Sequence, residues 1–286
     1  MVSPDTGAQH EPIASPKIVV SGLRQEYRDP AGRPIIALDG IDLAVGEGEF
    51  ICLLGPSGCG KSTLLRLLAG LERPTAGTVT IDHRDTTRPA QAMVFQGPSL
   101  FPWRTVLDNV AYGLEIGARR AAMSRPEREG IARQRIAQVG LARFADAYPH
   151  QLSEGMRQRA NLARALAVDP AIILMDEPFG NLDEQNRLLM QGELLQIWQG
   201  SGRPVTIVFV THSIDEAIVL ADRIVIFTPR PGQIDTTLPV PLSRPRDAVA
   251  LRGDSTYANL YAACWDRLRD GVLTARAAEL ATTQLR

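Results

Sequence analysis

The chain has 286 residues, 44% of them hydrophobic and 22% charged, enough for one or two packed domains. Its formal net charge of −1 excludes the basic surplus expected of a nucleic-acid binder. Three cysteines without close pairing, Cys52, Cys59 and Cys264, suit a reducing compartment rather than a disulfide scaffold.

Residues 1–16 are polar and proline-bearing and lack the apolar core of a signal peptide, so a disordered leader is expected there. Apolar, β-branched runs then recur: "KIVVSGL", "FICLLG", "TVTI", "AMVFQ", "AIILMD", "VTIVFVTH" and "RIVIF". Several are continuous rather than alternating, as in strands buried on both faces, and helical patterns separate many of them. The pattern predicts an α/β sheet. No run approaches the ~18 apolar residues of a membrane helix, so any membrane role is expected to come through a partner.

Lysine occurs only at Lys17 and Lys61, and the second sits in "FICLLGPSGCGKSTLLRLLAGL", a strand, a glycine loop and a helix. Gly55, Gly60, Lys61 and Ser62 match G-x-x-x-x-G-K-[ST]. Glycines let backbone N–H groups converge on phosphate oxygens, the lysine adds a point charge near the β- and γ-phosphates, and the serine hydroxyl is placed for Mg²⁺. The loop also contains Cys59, where a bulky thiol reagent is expected to inhibit.

From about Ser99 to Ala167 no strand pattern is visible. Ser124 and Glu127 have capping-box spacing, and Ile131, Ile136 and Val139 follow at helical intervals. A helical insert of about 99–167 in the α/β core is expected. Within it, Ser153 stands at an N-cap position with Gly155 in the first turn, a second ready anion site.

"AIILMDEPFGNLD" puts Asp176 and Glu177 directly after a buried strand. Two acids there are either solvated loop charges or a Mg²⁺ ligand beside a general base. "AMVFQ" ends on Gln96, a residue type that positions water or senses a γ-phosphate. "VTIVFVTH" ends on His212, and Ser213 with Glu216 has capping-box spacing. Each of these is ordinary alone; their shared position at strand ends groups them. Residues 254–280 read as an amphipathic helix with Tyr257, Leu260, Tyr261, Cys264 and Leu268 on one stripe.

The ordered set "GPSGCGKST", "VFQ", "LSEGMRQR", "IILMDEP", "NLD" and "VTH" resembles the ATP-binding subunits of ABC transporters over about residues 17–240. The resemblance implies a P-loop NTPase core with a mostly parallel sheet, an antiparallel β subdomain and an inserted helical subdomain, followed by a short helical extension over 241–286. It implies ATP and Mg²⁺ as ligands. Nucleotide contacts then fall on Tyr27, Gly55, Pro56, Ser57, Gly58, Cys59, Gly60, Lys61, Ser62 and Thr63, with Ser62, Gln96 and Asp176 at the metal and Glu177, Gln96 and His212 catalytic. Asp183 matches the D-loop. Ser153 and Gly155 match the signature that meets the nucleotide of a second copy, head to tail. Glu154 and Met156 depart from the common LSGGQ form, and a carboxylate so close to a triphosphate is unfavourable unless it points outward. "LFPWRTVLDNV" and "YPHQLSEGMRQR" resemble importers of the nitrate, sulfonate and taurine type. That implies transmembrane permease subunits docking at Phe101, Pro102, Trp103 and Arg104, a periplasmic solute-binding protein, no nucleic acid, and a place at the cytoplasmic face of the membrane.

Overall fold

The computed structural model describes residues 16–97, 99–116 and 122–283. The leader expected over 1–16 lies outside the described residues, apart from Pro16, which opens the first strand.

Two sheets organise the chain. Strand β1 (Pro16–Arg28) lies between β2 (Pro34–Gly46) and β4 (Ala76–Ile81), all antiparallel. The second sheet has the order β5-β6-β7-β3-β8-β9, with β3 (Phe50–Leu54), β5 (Gln91–Val94), β6 (Ile172–Asp176), β7 (Thr206–Thr211), β8 (Arg223–Phe227) and β9 (Ile234–Pro239). Its ladders are parallel except β8–β9. The continuous apolar runs at β3, β6 and β7 are buried throughout, as a sheet covered on both faces requires. Side chains alternate across it: Phe50, Cys52 and Leu54 enter one core, Ile51 and Leu53 the other. The second core is closed by β1, β2 and helix α1 (Lys61–Leu68), and the first by the remaining helices.

The expected insert is the crossover between β5 and β6, which are neighbours in the sheet. It contains α2 (Val106–Ala111), α3 (Arg125–Gln138) and α4 (Glu154–Ala167), and no strand among the described residues. Ser124 caps α3 with the full reciprocal box to Glu127, as its spacing predicts. The same spacing misleads at α6 (Ile214–Leu220). Ser213 accepts from Glu216 N, but the Glu216 side chain turns inward to Thr211, so only half the box forms. Helix α5 (Glu184–Gln199) covers the same face of the sheet. Strand β9 carries no continuous apolar run and β2 only the short one at 35–38, and both are extended through pairing with β8 and β1.

After β9 the chain returns across α6 and enters α7 (Ser255–Thr283). Tyr257 and Cys264 are buried and Leu260 and Leu268 pack against the core, but Tyr261, expected on the same stripe, is 37% exposed. The return is fixed by Arg246. Its guanidinium is buried and donates to the carbonyls of Ile218, Val219 and Ala221 at the C-terminal end of α6, and to those of Val240 and Leu242. A cation at a helix C-terminus is favourable, and this one satisfies carbonyls that the helix leaves unpaired. Burial, and then Arg244 alongside, push its pKa down to about 10, so the group stays charged at neutral pH. No helix among the described residues is long and apolar enough to cross a membrane.

Replacing Arg246 with Met keeps the apolar stem but strands those carbonyls. The expected loss is about 3 kcal/mol, read as a lower urea midpoint with unchanged slope.

Candidate active site

Parallel pairing sets the site. Leu54 lies beside Thr211, Asp176 beside Val210, and Val94 beside Met175. The C-terminal ends of β3, β5, β6 and β7 therefore open on one edge of the sheet, where such folds bind ligands.

The loop 55–60 leaves β3 and turns into α1. Gly58 and Gly60 have φ of 75° and 103°, and a Cβ on Gly60 would lie 2.8 Å from the Ala37 carbonyl oxygen, so glycine is required there twice over. Helix α1 has no side-chain N-cap, which leaves its first N–H groups as donors. Lys61 is 4% exposed and its Nζ donates to the carbonyls of Gly55 at 2.7 Å and Pro56 at 2.9 Å. The loop is thus wrapped around its own lysine. Ser57 lies exposed on it. Gly232, in the turn between β8 and β9, backs the loop so closely that a Cβ there would lie 1.9 Å from the Cys59 carbonyl oxygen.

The Cys59 side chain faces inward. It is 1% exposed, Gly55 leaves room beside its Sγ, and burial pushes the thiol up. The expectation of an accessible thiol is therefore corrected: only the backbone of Cys59 belongs to the loop's open face. Thr63 is likewise buried, and its hydroxyl accepts from Arg66 Nη2 at 3.4 Å.

At the mouth of the loop, Ser62 Oγ donates to Asp176 Oδ1 at 2.8 Å. Burial raises the Asp176 pKa, with Ser62 partly opposing. Glu177 follows with φ of 43°, a left-handed backbone rarely taken by a non-glycine residue. This turn directs its carboxylate between two other strand ends. Gln96 Nε2 lies 3.4 Å and His212 Nδ1 3.2 Å from the same oxygen, Glu177 Oε2. The three residues grouped only by strand-end position in the sequence meet at one atom.

Tyr27, near the end of β1, donates its hydroxyl to Glu72, whose other oxygen accepts from Arg66 Nε at 2.6 Å. Neither partner was singled out in the sequence: Glu72 follows α1 and Arg66 lies on it, and charges there read as ordinary solvated surface. Ser153 is the N-cap of α4 and accepts from Met156 N at 3.3 Å. Glu154 points along the helix to Arg157 at 2.5 Å, which satisfies the condition set by its charge. Gly155 packs near Leu182. Among the described residues, neither Ser153 nor Gly155 hydrogen-bonds the loop or Asp176 of its own chain. Asp183 caps α5; Asn186 donates to it through backbone and side chain, which holds its carboxyl below the usual range.

Glu216 is the main residue that sequence reasoning misassigned. Buried at 5% exposure, it accepts at 2.5 Å from the Oγ1 of Thr211, the residue before His212, and faces Arg187 Nε at 3.6 Å.

A raised carboxylate pKa means that the folded chain pays for ionising Asp176. That cost is absent well below pH 3.8 and grows as pH rises through the folded pKa. Asp176→Asn should therefore raise the thermal midpoint of the ligand-free chain at pH 7, with the gain shrinking in acid, while activity is lost.

Similarity to known proteins places the chain in a family. Residues 38–180 match the family model described as ABC transporter. An uncharacterized ABC transporter ATP-binding protein of Methanocaldococcus jannaschii is 50% identical over 222 residues, 77% of this chain and 81% of that protein. A bicarbonate transport ATP-binding protein of Synechocystis is 43% identical over 246 residues, 85% of this chain and 86% of the relative. A nitrate import ATP-binding protein of Synechococcus elongatus has the same identity over the same length, which is 37% of that longer protein. A solved dimeric ATP-binding cassette in a post-hydrolysis state, bound to ADP and Pi, superposes with a TM-score of 0.68 at 33% identity, covering 79% of this chain and all of the other. A lysine-bearing phosphate loop, a paired serine and aspartate, and a carboxylate flanked by glutamine and histidine thus stand on a cassette fold, and the chain belongs to the ABC transporter family as an ATP-hydrolysing member.

Proposed function

We propose that the chain is the ATPase subunit of an importer for a small anion of the nitrate, sulfonate or taurine kind, acting as a head-to-tail pair of copies. The observation that carries the catalytic part is the convergence of Gln96 and His212 on Glu177 beside the Ser62–Asp176 pair. The names of the bicarbonate and nitrate relatives support an importer of small oxyanions.

The donor set fits Mg²⁺. A serine hydroxyl and a partly buried carboxylate with a raised pKa already share a hydrogen bond, and both are hard oxygen ligands. Ser62 and Asp176, with Gln96 at the edge, would hold Mg²⁺, which would supply neutralisation of phosphate charge during transfer. Lys61 exchanges the carbonyls of Gly55 and Pro56 for phosphate oxygens, and N–H groups of 57–63 complete the cradle. Tyr27 stacks on the adenine. Glu177 takes a proton from the attacking water as that oxygen bonds to the γ-phosphorus and ADP leaves; His212 and Gln96 hold the carboxylate and water in line.

The exposed start of α4 completes the site of the other copy. Ser153 and the N–H groups around Gly155 donate to its γ-phosphate, with the helix N-terminus adding partial positive charge. Glu154, drawn to Arg157, stays clear of the phosphate. Asp183, as the cap of α5, acts by fixing the segment between the two copies. Two anion sites in one chain are then halves of two shared sites. The dimeric state of the solved cassette supports this pairing.

The permease docks on the insert at Phe101, Pro102, Trp103 and Arg104. Trp103 is 72% exposed, and the Arg104 guanidinium lies 4.8 Å from the Tyr112 ring, which keeps this edge in one shape. The chain thus works peripherally at the cytoplasmic face of the membrane, and a periplasmic solute-binding protein delivers the anion to the permease.

Glu177→Gln should bind ATP yet hydrolyse it about 10²-fold or more slowly and accumulate an ATP-bound dimer, read by turnover and gel filtration. Ser153→Arg should spare nucleotide binding to the monomer but prevent dimerisation with ATP and abolish turnover. Weakened binding to the isolated monomer would instead assign Ser153 to its own loop.

A further inference from the structure

The segment after β9 does more than finish the fold. It touches α6 at both ends. At the C-terminal end Arg246 holds three carbonyls and Arg244 donates to the Leu220 carbonyl at 2.6 Å. At the other end the Tyr257 hydroxyl donates to Asp215, in the first turn of α6 and three residues after His212. A cleft of about 130 Å³ between α5 and α6 is lined by Tyr257, Arg252, Asp215, Glu216, Arg187 and Glu184. Arg252 reaches Glu184 on α5 at 3.1 Å, but both side chains are more than half exposed, so this pair contributes little. Tyr257 is 6% exposed and packs in the core, so its hydrogen bond is the stronger link.

On its inner side α6 is tied to the strand end that carries His212. Glu216 accepts from Thr211 Oγ1, and Thr211 Oγ1 in turn accepts from Ser213 N at 3.0 Å. Asp215 and Glu216 are adjacent, so a rotation of α6 that breaks the Tyr257 contact also moves the Thr211–Ser213 turn. His212 is the centre of that turn, and its Nδ1 lies 3.2 Å from Glu177.

We propose that Tyr257 is a positioning residue for hydrolysis: through Asp215 it fixes α6 and so holds His212 on Glu177. The inference rests on His212 serving the γ-phosphate site as described above. It gives the extension after β9 a function within each cassette, making the histidine's placement depend on chain more than forty residues downstream.

The test compares Tyr257→Phe, which keeps the ring and removes the hydroxyl, with Asp215→Leu and Asp215→Asn, the last retaining an acceptor oxygen. Full-length protein is assayed for ATP turnover, for thermal midpoint and for the His212 ring resonances by NMR. Tyr257→Phe and Asp215→Leu should each lower kcat about fivefold, the effect of one lost hydrogen bond, with KM for ATP and the thermal midpoint little changed. Both should displace the His212 ring resonances, and Asp215→Asn should restore most of the turnover. Parental kcat and unmoved His212 ring resonances in Tyr257→Phe overturn the proposal, as does a loss that follows a fall in thermal midpoint. His212→Ala separates the two levels. Full turnover in that variant ends the reading of His212 itself, whereas an inactive His212→Ala beside a fully active Tyr257→Phe ends this inference alone.

Discussion

Three adjacent parallel strands set the edge on which the candidate site is built. Leu54, Asp176 and Thr211 end together because the ladders β3–β7 and β6–β7 run without a register shift. A slip of one residue in β6 would turn Asp176 to the opposite face and withdraw it from Ser62. The pairing is held by side chains buried on both faces of the sheet, since each strand contributes to two separate cores. Neither core chemistry nor site chemistry is independent of the other: the apolar packing that stabilises the fold is what brings a serine, two acids, a glutamine and a histidine from four distant segments to one edge.

That edge is poorly satisfied by itself. Lys61 turns back on the carbonyls of its own loop, Asp176 is buried with a raised pKa, and Glu177 holds a left-handed backbone. Burial of the Asp176 carboxyl and the left-handed backbone of Glu177 each cost stability in the folded chain. Residues kept in such states mark where binding free energy is converted into geometry.

The region after β9 answers a different need. Helix α6 has only seven residues and is separated from His212 by its cap, Ser213. So short a helix has little stability of its own. The Arg246 guanidinium at one end and Tyr257 at the other supply what the helix lacks, and the price of burying an arginine is offset because every donor direction meets a carbonyl.

Much of this was legible in the sequence. The phosphate loop follows from glycine, lysine and serine at fixed spacing, because local backbone geometry alone makes the cradle. The buried strands β3, β6 and β7 follow from their continuous apolar runs, and the Ser124 cap from its reciprocal partner three residues on. Strands β2 and β9 were not legible, because their extension depends on partners. Nor was the inward turn of Glu216, since Ser213-to-Glu216 spacing is the same whether that carboxylate caps the helix or enters the core. The exposed Tyr261 and buried Cys59 likewise depend on which neighbour arrives. By itself, the sequence determined which residues are candidates for the chemistry and on which local elements they sit, since spacing and periodicity are properties of a few consecutive residues. Only the tertiary structure decided that Gln96 and His212 meet at one oxygen of Glu177 and that Tyr257 reaches Asp215, because distances between remote segments are set by sheet register and core packing.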